Sequence, residues 1–313
     1  MTQQSMKANR VVDPVISEAA RGYKQPGLVG DALFPRVPVM QYAGKIIEFG
    51  KEDFREYDLD RAPGGTVKRV TAGHAGQPYS IVPRAVERPV PRELGVDAQA
   101  VPGINLGNRA AVSGMRILQN NMEFKQAALA TNPANYGAGN KVTLTAGDRW
   151  TQPGTSTPNG DIEEGRDAIR ASIGMYPNLA IVSAKAMKAL RHHPSIIDRI
   201  KHTSRDFATA DILAQLWGIE RVLVGGAVKA GSGDTFSDAW GDGVVLAYAA
   251  VGSVDAEEPS YGYTYFVEGH PLVETPYWEE STKSWIYGVS DDAAPVIAGA
   301  EAGYLITGAG DDS

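Results

Sequence analysis

Five histidines stand in this chain: His74, His192, His193, His202 and His270. Imidazole is the side chain best suited to proton transfer or metal ligation near neutral pH, so their spacing decides which chemistry is open. His192 and His193 are neighbours in "LRHHPSIID", and adjacent helical residues point in different directions, so the pair cannot face one metal without distortion. No His-Glu-x-x-His spacing occurs and no His–carboxylate pair stands out, so all five read as surface or interface residues. The glycine-rich stretches "GAGNKV" (Gly137–Val142) and "GGAVKAGSGD" (Gly225–Asp234) lack the Gly-Lys-Ser/Thr of a phosphate-cradling loop and read as turns. Asp291–Asp292 reads as a loop and Asp311–Asp312 as a solvated tail. With no cysteine, disulfides, thiolate metal sites and a cysteine nucleophile are excluded. The residues offer no catalytic site, metal site or cofactor site.

The elements that would position any such residues form a large protein. The chain has 313 residues, 43% of them hydrophobic, which is ample for a packed core and implies two domains or one with insertions. Thirty basic against 37 acidic residues leave a net charge of −7, which argues against a tight grip on nucleic acid. The longest apolar run, Val244–Val251, falls far short of the about 20 residues a membrane span needs, and the N-terminus has no signal-peptide core, so no membrane partner is expected.

Asp13–Pro14 opens a short predicted helix, and the prolines of "LFPRVPV" (Leu33–Val39) force an extended path. A longer helix is predicted over Asn105–Asn132, with Ala111, Met115, Leu118, Met122 and Leu129 in a stripe at helical spacing. A short strand follows at Lys141–Thr145. A second helix is capped by Asp161, carries Glu163 and Glu164 in its first turn and ends near Gly174. From Tyr176 the texture alternates strand and helix, as in a compact α/β unit of roughly 80 residues. There Trp240 is expected to be buried at the start of an apolar strand. Tyr261–Val289 reads as long antiparallel strands turning near Glu280–Lys283, and "AEAGYLITGAG" closes the chain.

The unusual stretch is "GKIIEFGKEDFREYDLDRAPGGTVKRV" (Gly44–Val70), which carries twelve charged residues of both signs among Phe49, Phe54, Tyr57 and Leu59. It reads as a long open hairpin, continued by a segment whose prolines 78, 83, 89 and 91 forbid a central strand. Ordering a backbone costs about 1–2 kcal/mol per residue, more than a narrow hairpin recovers from its own contacts. Another chain can supply the difference, and dense charge of both signs fixes register on a neighbour. Phe49, Phe54, Arg55, Tyr57, Arg61 and Lys68 are the expected inter-subunit contacts.

An N-terminal arm, a long hairpin, a long helix, an α/β unit and returning strands follow one another in an order similar to that of tailed-phage major capsid proteins, the Hong Kong ninety-seven-type α+β fold. The sequence resembles the lambda-type branch of that family in "DALFPRVPV" (Asp31–Val39), "GKIIEFGKEDFREYDLDRAPGG" (Gly44–Gly65), "VPGINLGNRAA" (Val101–Ala111), "HPSIIDRIKHTSRD" (His193–Asp206), "DAWGDGVVLAY" (Asp238–Tyr248), "SYGYTYFVEGHPLVETPYWEESTKSWIYGV" (Ser260–Val289) and "AEAGYLI" (Ala300–Ile306). The resemblance implies an N-arm over 1–40 and an E-loop over 41–90. It implies a peripheral domain with the spine helix over 91–175 and 262–292, and an axial domain over 176–261, with 293–313 a candidate to return to it. It implies pentamers and hexamers of this chain forming an icosahedral shell around double-stranded DNA without sequence-specific binding. Scaffold, portal and decoration proteins would be partners, and assembly would take place in the host cytoplasm. Since the N-arm begins almost at Met1, a separate scaffold or a trimmed chain is expected. The rival readings are another assembly protein, such as a tail or surface-layer subunit, and a metal-free enzyme working through carboxylates in the α/β unit.

Overall fold

The computed structural model describes residues 27–45, 60–61, 78–99, 105–200, 207–231, 233, 235–250 and 260–311. The described elements begin with helix α1 (Gly30–Leu33), strands β1 (Arg36–Val39), β2 (Ala43–Lys45), β3 (Pro78–Ser80) and β4 (Ala85–Pro91), and helices α2 (Arg92–Gln99) and α3 (Leu106–Ala130). Strand β5 (Lys141–Thr143), helix α4 (Pro158–Ile173), strand β6 (Leu179–Ser183) and helices α5 (Ala184–Arg191), α6 (Pro194–Ile200) and α7 (Ala210–Trp217) follow. The rest is strand: β7 (Arg221–Gly225), β8 (Val228–Ala230), β9 (Phe236–Asp238), β10 (Val244–Ala247), β11 (Gly262–Val267), β12 (Leu272–Val273), β13 (Tyr277–Glu279), β14 (Ser284–Ser290), β15 (Ala293–Ile297) and β16 (Gly303–Thr307).

The α/β unit is built on a five-stranded sheet in the order β5-β16-β10-β6-β7. β6 is buried at all five positions, as its unbroken apolar run requires when both faces are covered. The last strand, β16, lies between β5 and β10, so the sheet is completed from the end of the chain. Helix α4 crosses it at Gly165, where a Cβ would come within 2.7 Å of Leu246 Cδ1 and 2.8 Å of Tyr304 Cδ1. Only a residue without a side chain allows that approach.

The spine helix α3 is 25 residues long, and Asn105 caps it by accepting the Asn108 N–H at 3.0 Å. It serves two cores. Ala111, Met115 and Leu118 pack with Val273 and Val289 in a small cluster. Ala127 and Ala130 join the large core that holds Leu33, Phe34, Ile181, Trp240 and Leu246. Under its N-terminal half lies a sheet centred on β14, with β12 and β13 on one side and β4 along the other. β4 pairs with β14 alone, as an edge strand with prolines at 89 and 91 must.

Several expectations are corrected. Helix α4 starts at Pro158 after Thr157, so Asp161 lies inside the first turn and accepts the Trp150 Nε1–H at 2.6 Å. The first-turn acid is Asp161, while Glu163 and Glu164 lie further in. Tyr261–Val289 is divided between two sheets: β11 runs parallel to β1 and antiparallel to β15, while β13 and β14 form the hairpin at 280–283. Asp311 is ion-paired with Arg149 at 3.1 Å. The helix expected after Asp13 lies outside the described residues, as does the returning strand after "RAPGG".

Candidate functional site: two buried carboxylate clusters

His192 is exposed, but His193 and His270 are buried, against the surface reading. His74 and His202 lie outside the described residues. His193 Nε2 lies 3.0 Å from Ser156 Oγ, which itself donates to the Gln152 carbonyl at 2.7 Å. On its other side Nδ1 lies 2.8 Å from Ser195 Oγ and accepts the Ser195 N–H at 3.3 Å. The ring thus fastens the 152–156 loop to the start of α6, and burial lowers its pKa. Among the described residues, no three His or acidic side chains gather as a metal site.

The polar groups that do converge lie beside the start of α1 and beside the β2–β3 pair. Glu123, on α3, is 2% exposed. Its Oε1 accepts the Val29 N–H at 3.0 Å and the Trp240 Nε1–H at 2.8 Å, and its Oε2 accepts the Gly30 N–H at 2.8 Å. One turn along, Gln126 Nε2 donates to Asp31 Oδ1 at 2.9 Å and to Thr264 Oγ1 at 3.0 Å. These five bonds join the start of α1 to the spine helix, to β11 and to the turn before β10. Burial raises the Glu123 pKa, the three donors oppose that shift, and the nearby Asp31 charge adds to it.

The second convergence surrounds Asp291 and Asp292, which form the expected short loop, between β14 and β15, and are 2% and 0% exposed. Asp291 Oδ1 accepts Arg36 Nη2 at 2.6 Å. Asp292 Oδ1 accepts the Arg84 N–H at 3.0 Å, and its Oδ2 accepts the Tyr42 hydroxyl at 2.8 Å. Its backbone N–H and the Ser290 carbonyl lie 3.2 and 3.3 Å from His270 Nδ1, and His270 Nε2 lies 3.4 Å from Oδ2. Arg84 Nη2 donates to the Ala293 carbonyl, and burial lowers the Arg84 pKa while Asp291 and Asp292 oppose that shift. Tyr42 and Arg84 flank the β2–β3 pair, in which Ala43 faces Ser80 and Lys45 faces Pro78. Asp292 therefore ties Tyr42 and Arg84, on either side of the β2–β3 pair, to the turn before β15. Three of the four oxygens of this acidic pair, Asp291 Oδ1 and both oxygens of Asp292, accept bonds from donors of the same chain, an arrangement that fixes geometry.

Of the sequence-predicted contact residues, Arg61 is exposed, and Phe49, Phe54, Arg55, Tyr57 and Lys68 lie outside the described residues. Sequence reading missed Glu123, Asp291 and Asp292. The available signal was an acid set between Met122 and Phe124 in "NMEFKQAALA", and an acidic pair set directly between two strands.

A mixed α+β fold with a long spine helix and a five-stranded sheet completed by β16 is the fold of the phage-shell class. The holo-SrpI encapsulin of Synechococcus elongatus PCC 7942 shares this fold at a TM-score of 0.55, covering 91% of this chain and 88% of that one at 12% identity. A phage-related protein of Bordetella bronchiseptica RB50, solved by crystallography, is 50% identical with a TM-score of 0.84, covering 96% of this chain and 98% of that one. Residues 134–287 match the family described as phage major capsid protein E. The major capsid protein of Burkholderia phage BcepMu is 36% identical over 303 residues, spanning 96% of this chain and 97% of that one. This chain belongs to the phage major capsid protein family.

Proposed function

We propose that the chain assembles as pentamers and hexamers into a closed icosahedral shell around double-stranded DNA, with no catalytic turnover of its own. The observation that carries this reading is the near-full-length relationship to a major capsid protein, with no gap in either chain large enough to remove a domain. Within this proposal, 1–40 is the N-arm, 41–90 the E-loop, 91–175 with 262–292 the peripheral domain, and 176–261 the axial domain. Scaffold and portal proteins are its assembly partners, and the host cytoplasm is where it assembles.

The segment between β2 and β3 is the proposed inter-subunit arm, through Phe49, Phe54, Arg55, Tyr57, Arg61 and Lys68. What supports this is its charge and aromatic content, together with the bonds from Asp292 to Tyr42 and Arg84, which hold the β2–β3 pair on either side of it to the subunit. Deleting Lys51–Thr66 tests it: the subunit should fold, with an unchanged melting temperature, and fail to assemble. A deletion variant that forms normal shells would remove the arm from the proposal.

A further inference from the structure

We propose that the exposed side of the spine helix, with Arg88, Arg109 and Arg116, is a binding surface for the phosphate backbone of duplex DNA. This inference rests on the reading of the chain as a shell subunit and deepens it, by assigning the side of the subunit that meets the packaged polyanion.

The three arginines are exposed and share one surface. Arg88 Nη2 donates to Ser113 Oγ at 2.6 Å, which draws the β4 side chain onto the flank of α3. Arg109 is four residues before Ser113 and Arg116 three after it, so both share its side of the helix. At 1.5 Å rise per residue, Arg109 and Arg116 stand about 10 Å apart along the axis. From Asn105 to Met122 the helix has no acidic residue, and its other exposed polar groups there include Asn105, Asn108 and Asn121. None of the three arginines has an ion-pair partner in the described structure.

The opposite face of the same sheet carries the opposite charge. Val86 and Val289 point to the helix, since a Cβ on Gly114 would meet both, at 3.2 and 3.0 Å. By strand alternation Arg88 shares that face, while Glu87 points away from it. On that far face Glu87 Oε1 accepts the Tyr277 hydroxyl at 3.2 Å, and the Glu274 and Glu279 charges act on the same phenol. Glu274 Oε2 lies 2.9 Å from where a Gly288 Cβ would be, which places it on that face as well. A protein surface usually intersperses its charges; here base and acid are sorted onto the two sides of one plate. The chain's net charge of −7 therefore conceals a local positive face, which attracts a polyanion while the rest repels it. Guanidinium groups bind phosphate oxygens bidentately, and such contacts hold a duplex without reading its sequence. An acidic polypeptide is the competing occupant. The regular phosphate lattice of a duplex fits better, because Arg109 and Arg116 recur seven residues apart along one helix and Arg88 joins them from β4.

The test uses the full-length soluble subunit, a fluorescently labelled 30-base-pair duplex of arbitrary sequence and anisotropy readings between about 50 and 200 mM salt. Each phosphate contact contributes about 0.9 to the slope of log affinity against log salt. The Arg109→Gln, Arg116→Gln double variant should therefore lower that slope by about 2, whereas Glu87→Gln with Glu274→Gln should leave it unchanged. Thermal melting checks that each variant folds, and Arg88→Gln alone provides a milder version. A wild-type subunit that ignores the duplex, or a double variant with the wild-type slope, overturns the inference. So does displacement of the duplex by equimolar polyglutamate, which would assign the surface to an acidic polypeptide. Shell formation is scored separately by microscopy. Shells without duplex binding sink this inference alone, and duplex binding without shells sinks the capsid reading alone.

Discussion

Trp240 donates its indole N–H to the Glu123 carboxylate at 2.8 Å, and both side chains are at most 2% exposed. The bond ties the turn before a central strand of the α/β unit to the middle of the spine helix, and the same carboxylate holds the backbone at Val29 and Gly30. One buried acid therefore joins three parts of the subunit that must keep their relative positions if it is to tile a surface.

Replacing Trp240 tests the packing and the bond separately. Trp240→Ala should lose about 3–5 kcal/mol through the cavity it leaves. Trp240→Phe keeps much of the volume but strands part of a buried carboxylate, and should lose about 1–3 kcal/mol. Denaturant unfolding of the isolated subunit measures both, and a near-neutral Trp240→Phe would mean that the bond contributes nothing.

Glu123 also sets a pH dependence. Its pKa is raised in the folded state, so between the ordinary value of 4.5 and the raised one the native protein binds more protons than the unfolded chain. Stability from this group is then fully present below 4.5 and falls as pH rises through the raised value, the reverse of a salt-bridged acid. The stability of wild type minus that of Glu123→Gln should accordingly decline with rising pH across that window. A difference that grows with pH would show that the three donors outweigh burial.

Asp292 is the hub of the second clamp. Asp292→Ala strips the partner from the Tyr42 hydroxyl, from the Arg84 backbone and from His270 at once. Leaving buried donors without an acceptor costs about 1–3 kcal/mol for each group. Thermal unfolding should show a loss of that order, and a loss near zero would mean that the β2–β3 pair is held by other contacts.

Two helical glycines should respond in opposite directions. Gly114→Val must push Val289 and Val86 away and should destabilise by about 1–3 kcal/mol. Gly95, with nothing within 4 Å of its missing Cβ, should accept Ala with a gain of about 0.8–1 kcal/mol from helix propensity. Paired melting curves of the two variants decide the matter.

The parts of the fold that were legible in the sequence are those fixed by local rules. The stripe from Ala111 to Met122 marked the spine helix, the unbroken "LAIVS" marked a buried strand, and Gly174 marked a helix end, which it makes in the left-handed conformation. The clamps were not legible, because a carboxylate reads as solvated until its donors are known, and those donors are remote in sequence. Arg36 and Asp291 are 255 residues apart, and Glu123 and Trp240 are 117 apart. The misplaced cap at Asp161 has a similar cause: Thr157–Pro158 starts the helix earlier, which leaves Asp161 to bind Trp150.

Electron microscopy of assemblies purified after expression of this chain, alone and with a candidate scaffold protein, tests the central claim most directly. Closed icosahedral shells resolving into pentamers and hexamers of this chain are the predicted result. A monodisperse monomer at high concentration under assembly conditions, or growth only as tubes or planar sheets, would contradict it.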